Sequence, residues 1–593
     1  MAASRKLIYN KPEAAVEEAV AGLLYTRSDL KLVAGTSNVI VRADIETHRQ
    51  NYVTILCGGG SGHEPAHAGY IGEGMLSCAV LGNVFASPSV DSVYRAIMAI
   101  ASPLGVLVIV KNYTGDRLNF GMAIEKAKTA GVNARMIIVG DDCTVVTSGS
   151  IAGRRGVAGT LLVQKIAGAT AITPGSTLDM VFAAAENACR AVRSMGIGLS
   201  SCNLPGNEKS DRLTGPQMEV GIGIHGEPGR FIQDTPPSGL ATAMASSIVQ
   251  ALVEDHQHAT GNTSLGPVAV MVNNLGVTTE LEINAFVAAL MPQLACSGAI
   301  VERLYIGSFM TALDMHGVSV TLYDLAIDGA ALSLLDAPVS APAWKKSRYC
   351  ANAQHHVEIL TQACDGTEIS IAETVFPHSS YVTKLVLAAC TELVAAEPLL
   401  TELDSLCGDG DCGHTVQAAA RAILEKLRDV DVIDSGPMTC TNIQYANTCN
   451  YIADNASVSM GGTLGAIMEL LLRAMGNHYA SAASTFEGGD TFASALEAGM
   501  AAVMFYGGAK VGMRTMLDAL HPAALALKSG AYVIIYGDLK SAAAAATQGA
   551  ESTGGMTSLA GRSSYVNPDA IKGVQDPGAA AVAIALRAAA IVE

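Results

Sequence analysis

The chain has 593 residues, half of them apolar and only 15% charged, with a net charge of −17. That length exceeds what one hydrophobic core supports, so two to four globular domains are expected. The acidic balance argues against nucleic acid or an anionic membrane surface as the principal partner.

In chain order, short β-branched runs alternate with helical segments up to about residue 335. Val53–Cys57, Val106–Val110, Met136–Val139 and Val268–Val272 read as buried strands, each ending in residue types that suit loops at a sheet edge. This is the pattern of an α/β half, here of two lobes with a break near Asn203–Gly206. Ligands in such sheets bind beyond the carboxyl ends of the strands. Cys57-Gly-Gly-Gly-Ser-Gly-His-Glu-Pro-Ala-His67 follows the first strand and lacks the Gly-Lys-Ser/Thr of a Walker A loop. Its His63-Glu-Pro-Ala-His67 has the letters of a zinc-protease motif, but four glycines before it and Pro65 within it oppose the continuous helix that motif requires. A turn offering backbone amides and His63 to a small polar ligand is the better account. Lys111-Asn-Tyr-Thr-Gly-Asp116 follows the next strand, with a helix expected near Asn119; Asp116 reads either as a helix cap or as a general base beside Lys111. In Val220-Gly-Ile-Gly-Ile-His-Gly-Glu-Pro-Gly229, glycines on one face of a strand admit a ligand, and His225 reads equally as packing or as chemistry.

Asp336–Trp344, with two prolines, reads as the start of a linker over 336–369. Beyond residue 370, apolar residues recur at helical spacing near 378–396, 415–428, 464–475, 492–506 and 578–592. Ala531–Tyr536 is ambiguous between strand and helix, with helix favoured by its Ala- and Lys-rich neighbours. Asp404, Asp409 and Asp411 fall within eight residues, interleaved with Gly408, Gly410 and Gly413. Three carboxylates so close repel one another unless a cation sits among them, and hard oxygen ligands suit magnesium, which commonly accompanies nucleotide phosphates. A solvated acidic turn is the alternative. An EF-hand is excluded because Ala420 stands where the bidentate Glu belongs.

Thirteen cysteines, an odd number with no C-x-x-C pair, are expected to be reduced thiols rather than a disulfide framework or structural zinc site. With no signal-peptide pattern and no apolar run of membrane-spanning length, a cytoplasmic protein without a membrane partner is expected.

Taken together, these three loops and the aspartate cluster resemble the ATP-dependent dihydroxyacetone kinases over almost the whole chain. The resemblance implies a dihydroxyacetone-binding α/β domain at 1–335, the 336–369 linker, and an ATP/Mg-binding all-α domain at 370–593 of about eight antiparallel helices in a barrel. It further implies His225 as a nucleophile holding dihydroxyacetone as a covalent hemiaminal. Gly60, Ser61, Gly62 and His63 would hold substrate oxygens, with Asp116 as base and Lys111 lining the pocket. Asp404, Asp409 and Asp411 would be the metal ligands, with Mg2+ or alternatively Mn2+ bound. Asp409, Gly410, Asp411, Cys412, Gly461, Gly462, Thr463, Leu464, Arg514, Asp576, Pro577 and Gly578 would form the ATP site. Asp576 and Pro577 also suit an N-cap and first helical position. The chain departs from the family pattern at Leu464, which replaces a hydroxyl residue, and at Met513, which replaces an acidic one. The implied assembly is a homodimer. D-glyceraldehyde is a second expected acceptor, and the two alternatives are an added FAD-AMP lyase activity forming cyclic FMN and a non-catalytic dihydroxyacetone-binding regulator.

Overall fold

The computed structural model describes residues 8–144, 153–205, 212–349, 380–427, 442–460, 462–481, 492–528, 536–560 and 562–592. The chain divides into two compact units, residues 1–360 and 361–593.

The first unit holds two sheets. The strands of the first are β1 (Leu30–Leu32), β2 (Val39–Arg42), β3 (Thr54–Ser61), β4 (Cys78–Val84), β5 (Val106–Lys111) and β6 (Ala134–Val139), in the spatial order β1-β2-β4-β3-β5-β6. The centre is parallel, β4 and β5 flanking β3 and β6 lying beyond β5. All six residues of β5 are buried. Because side chains alternate across a strand, Leu107 and Ile109 enter one core while Val106, Val108 and Val110 enter another, against the helices Val90–Ala99 and Thr114–Thr129.

The second sheet comprises β7 (Val192–Gly198), β8 (Gln217–Val220), β9 (Phe231–Asp234), β10 (Gly266–Asn274), β11 (Ala299–Gly307), β12 (Gly317–Asp324) and β13 (Arg348–Tyr349), in the order β13-β11-β10-β12-β7-β8-β9. Its one parallel pair among the described residues is β10 with β11. The break between lobes therefore precedes β7, earlier than the Asn203–Gly206 segment. The helices Thr160–Ala171 and Leu178–Ala191 lie in the core the two sheets share, which also takes Ala269, Met271 and Tyr323 from the second sheet. Thr160–Ala171 is buried around nearly its whole circumference, as a helix enclosed on all sides must be.

The expected linker is packed rather than free as far as Tyr349. Trp344 is buried with its ring centroid 5.1 Å from that of Tyr305, and Arg348–Tyr349 pairs antiparallel with β11. An indole that removes so much apolar surface from water anchors its segment despite Pro338 and Pro342. Residues 350–369 lie outside the described residues.

In the second unit, eight helices neighbour one another in a closed ring: Ser380–Ala395, Cys412–Leu427, Asn442–Ser459, Gly462–Ser481, Phe492–Gly507, Leu517–Lys528, Tyr536–Ser552 and Pro577–Ala589, the last returning to the first. A ninth, Glu397–Cys407, packs on Cys412–Leu427 and Pro577–Ala589. The ring encloses an apolar cavity of about 360 Å³ whose lining includes Val386, Leu464, Met468, Leu471, Met516 and Leu586. Four helices of this unit carried no sequence expectation: Glu397–Cys407, Asn442–Ser459, Leu517–Lys528 and Tyr536–Ser552. Of the ambiguous run, residues 531–535 lie outside the described residues. Among the described residues no helix is long and apolar enough to cross a membrane.

Candidate functional site

The first site lies where β3 and β5 end, roofed by loops of the second sheet. His63 follows β3 in a run of turns, so the H-E-x-x-H letters never form a helix. Its Nδ1–H donates to the Thr311 carbonyl at 2.8 Å, while its buried Nε2 has no hydrogen-bond partner. Burial, then the nearby His225 and Lys111, hold this imidazole well below the usual histidine range. A neutral ring protonated at Nδ1 presents an accepting lone pair at Nε2, suited to a substrate hydroxyl. His67, the other histidine of that motif, serves a different purpose. Lys111 Nζ donates to His67 Nε2 at 2.9 Å and to the Gly58 carbonyl at 3.0 Å. His67 Nδ1 lies 2.8 Å from the side-chain amide of Gln164. The buried helix thus anchors the lysine through one histidine.

The helix after β5 begins at Thr114 rather than near Asn119, and Tyr113 is its N-cap, so the capping account of Asp116 does not hold. Asp116 is buried in the first turn and accepts from Ser87 Oγ at 2.5 Å. A Cβ on Gly59 would lie 2.5 Å from Lys111 Nζ and 3.4 Å from Asp116 Oδ2, so ammonium and carboxylate both border that glycine, which also sits at φ +149°. Gly59→Ala should therefore displace Lys111 and lower kcat by at least about tenfold, with some loss of stability because alanine is strained at this φ. Unchanged kcat would mean the lysine is a bystander.

His225 does not sit on a strand. β8 stops at Val220, and Gly221 and Gly226, both at positive φ, turn the chain around it. Its Nδ1–H donates to Glu227 Oε1 at 2.7 Å, and its backbone N–H donates to Glu227 Oε2 at 3.0 Å. Burial pushes the Glu227 carboxyl up, but the hydrogen bond and charge of His225 outweigh it and hold the group at about 2. Three rings wall the imidazole, with centroids at 4.9 Å for His63, 5.3 Å for Phe85 and 4.7 Å for Tyr113. The Tyr113 hydroxyl is buried without a hydrogen-bond partner. Phe85 at φ +55° and Leu313 at φ +54° bracket Gly62, whose Cβ would strike the Phe85 ring at 2.8 Å; such backbone strain concentrates at functional sites. Ser61 Oγ donates to the Gly82 carbonyl at 2.7 Å, and Gly60 packs against the Phe85–Ala86 backbone. Among these, Glu227, Phe85, Tyr113, Gly59 and Thr311 were not singled out by the sequence, although Glu227, Tyr113 and Gly59 lie inside the quoted motifs.

In the second unit, ligand oxygens of Asp404, Asp409 and Asp411 lie within 4.8 Å of one another. Asp404 comes from the last turn of Glu397–Cys407 rather than from the glycine loop, and its Oδ2 accepts the Cys412 N–H at 3.0 Å. Gly410 at φ +78° reverses the chain between Asp409 and Asp411. Asp576 caps Pro577–Ala589 by accepting from Ala579 N–H at 2.8 Å, with Pro577 and Gly578 opening the helix. Burial pushes the Asp576 carboxyl up to about 6, opposed by that N–H and by Arg514 and reinforced by Asp518 and Asp404. Arg514 is fully buried at φ +61°; Nη2 donates to the Val574 carbonyl, while Nε and Nη1 have no partner. An acidic cluster beside a guanidinium with unspent donors fits a divalent cation together with the anion it neutralises. Gly461 lies outside the described residues, and Gly462 and Thr463 open the next helix. Leu464 packs among Leu400, Cys412 and Val416 and lines the apolar cavity, and Met513 Sδ accepts its own loop's Lys510 N–H.

An α/β unit presenting a histidine-walled pocket is thus followed by a helical ring bearing a carboxylate cluster. Residues 21–343 match the Dak1 domain and residues 406–590 the DAK2 domain. The chain belongs to the dihydroxyacetone kinase family. It is 40% identical over 604 residues to a Solanum lycopersicum protein named as a 3,4-dihydroxy-2-butanone kinase, covering 99% of this chain and 98% of that one. It is 37% identical over 600 residues to the Rattus norvegicus triokinase/FMN cyclase, again covering 99% and 98%. Among solved structures, the dihydroxyacetone kinase from C. freundii in complex with AMP-PNP and Mg2+ aligns over 100% of both chains, with 34% identity and a TM-score of 0.63.

Proposed function

We propose that this protein transfers the γ-phosphoryl group of ATP to dihydroxyacetone, with D-glyceraldehyde as a second acceptor. The observation that carries this reading is His225: its Nδ1 is committed to Glu227 while its ring is enclosed by His63, Phe85 and Tyr113. An imidazole so tethered attacks through Nε2, and a ketone carbon is the electrophile that reversible addition selects; glycerol offers none. His63 Nε2 accepts one substrate hydroxyl. Asp116 removes the proton from the hydroxyl to be phosphorylated, and Lys111 lies beside it over Gly59. Asp404, Asp409 and Asp411 hold Mg2+, and Arg514, Asp576 and the helix opening at Gly462 border the nucleotide. The metal supplies charge neutralisation on the phosphates when bound. The proposed working assembly is a homodimer.

A coupled assay with ATP·Mg and dihydroxyacetone tests the reading: the wild type forms dihydroxyacetone phosphate and a carbonyl adduct, and His225→Ala loses the adduct. An adduct that persists in His225→Ala would refute the covalent role. The likeness to a triokinase/FMN cyclase favours a second activity at the carboxylate cluster, cleavage of FAD to AMP and cyclic FMN. Failure to release cyclic FMN from FAD with Mn2+ would remove it. A purely regulatory role has less support, since Asp116 and the three metal-cluster aspartates are all present.

A further inference from the structure

Glu227 has both carboxylate oxygens committed to one residue, His225. Gly223 is what makes room for this arrangement, because a Cβ there would fall 2.0 Å from Glu227 Oε2. The loop does not depend on Glu227 alone for its shape. Arg155 Nη2 donates to the Gly221 carbonyl at 2.7 Å, Arg212 Nη1 donates to the Gly226 carbonyl at 2.6 Å, and the Gly229 N–H donates to Glu219 Oε1 at 2.7 Å. Two arginines and a second glutamate thus hold the backbone on either side of His225. The Glu227 carboxylate adds something those ties cannot: a negative charge against the one ring nitrogen that does not face the pocket.

We infer that Glu227 is a positioning residue for the covalent step, fixing the Nδ1–H tautomer of His225 and balancing the charge that the ring acquires when Nε2 adds to the ketone. The inference rests on the covalent reading of His225. In the step, the Nε2 lone pair forms a bond to the carbonyl carbon and the C=O π pair moves onto oxygen, which takes one proton from water. The ring, now substituted at Nε2 and still protonated at Nδ1, carries one positive charge. A positive charge on a ring walled by three others is unfavourable, and a carboxylate 2.7 Å from Nδ1 offsets it. The same carboxylate rejects the other tautomer, in which Nε2 would carry the proton and have no lone pair to donate. Enzymes that rely on histidine use a carboxylate partner in the same way, and loss of such a partner at metal-bound histidines costs about 10–100-fold.

The test uses the full chain with [2-13C]dihydroxyacetone, followed by 13C NMR, and with 15N-labelled histidine. In the wild type the labelled carbon should move from the ketone to the tetrahedral region, and the ligand-free His225 ring should be protonated at Nδ1. Glu227→Gln keeps the shape and a hydrogen-bonding oxygen but removes the charge. It should weaken the adduct by about 10–100-fold at an unchanged melting temperature, with Glu227→Asp retaining more adduct than Glu227→Gln. A wild type that shows no adduct removes the covalent reading and this inference with it. A wild-type adduct that survives undiminished in Glu227→Gln overturns the role of Glu227 while leaving His225 intact. A ligand-free wild-type ring protonated at Nε2 overturns it without reference to any variant.

Discussion

Asp411→Ala should lower ATP-dependent phosphorylation by about 10³-fold or more while the dihydroxyacetone adduct on His225 still forms. Metal ions stabilise transition-state charge by several kcal/mol, and each 1.4 kcal/mol is a factor of ten in rate. Asp411 is the suitable position because its side chain is exposed, whereas Asp404 is buried and also accepts the Cys412 N–H that starts the next helix. The helix beyond Asp411 leans on its backbone carbonyl, which accepts from Thr415 and survives the substitution. Chelation of the wild type should reproduce the same separation between lost turnover and retained adduct. If Asp411→Ala phosphorylates normally, the carboxylate cluster is not the metal site. If the adduct disappears as well, the two units do not act as separate halves of the reaction.

Asp116→Asn should lower kcat by about 10²–10⁴-fold, the usual contribution of a positioned base, with dihydroxyacetone still bound. The substitution keeps the shape of the side chain and an oxygen that can accept from Ser87, so the first turn of the helix should keep its place. Lys111 retains its Gly58 and His67 partners, so the pocket should also keep its cation. Steady-state kinetics read beside adduct formation decide the matter. A kcat near the wild-type value would move the base elsewhere, and a loss of binding with kcat intact would make Asp116 a substrate clamp instead.

Much of this architecture is legible in the residues because its signals are local. The run Val106–Val110 is apolar on both faces, and only a strand between two cores needs that. The short spacing of Asp404, Asp409 and Asp411 likewise goes with three carboxylates whose ligand oxygens lie within 4.8 Å of one another. Other features were hidden because their causes lie far along the chain. Thr311 fixes the tautomer of His63 from 248 residues away, and no periodicity in either segment announces it. The helix carrying Asp404 was missed because a glycine-rich loop directly after it draws attention to the turn. The substitution at Leu464 looked like a lost hydroxyl at the nucleotide, but a side chain in the first turn of a helix can face inward. Here it packs against Leu400 and Val416 and lines the apolar cavity. Glu227 stood in plain view within Gly-Glu-Pro-Gly, and a sequence cannot say that a glutamate two places on will fold back against its neighbour's ring.

His63 is carried by the first sheet but tied to the Thr311 carbonyl of the second lobe, while His225, which it faces, belongs to the second lobe outright. The pocket is therefore a joint rather than a cup, and its two imidazoles keep their spacing only while both lobes stay in step. Gentle heating that lets the lobes breathe should silence the chemistry before either sheet melts. Trp344, the sole indole in the chain and buried in the core the two sheets share, should report that loosening by its fluorescence.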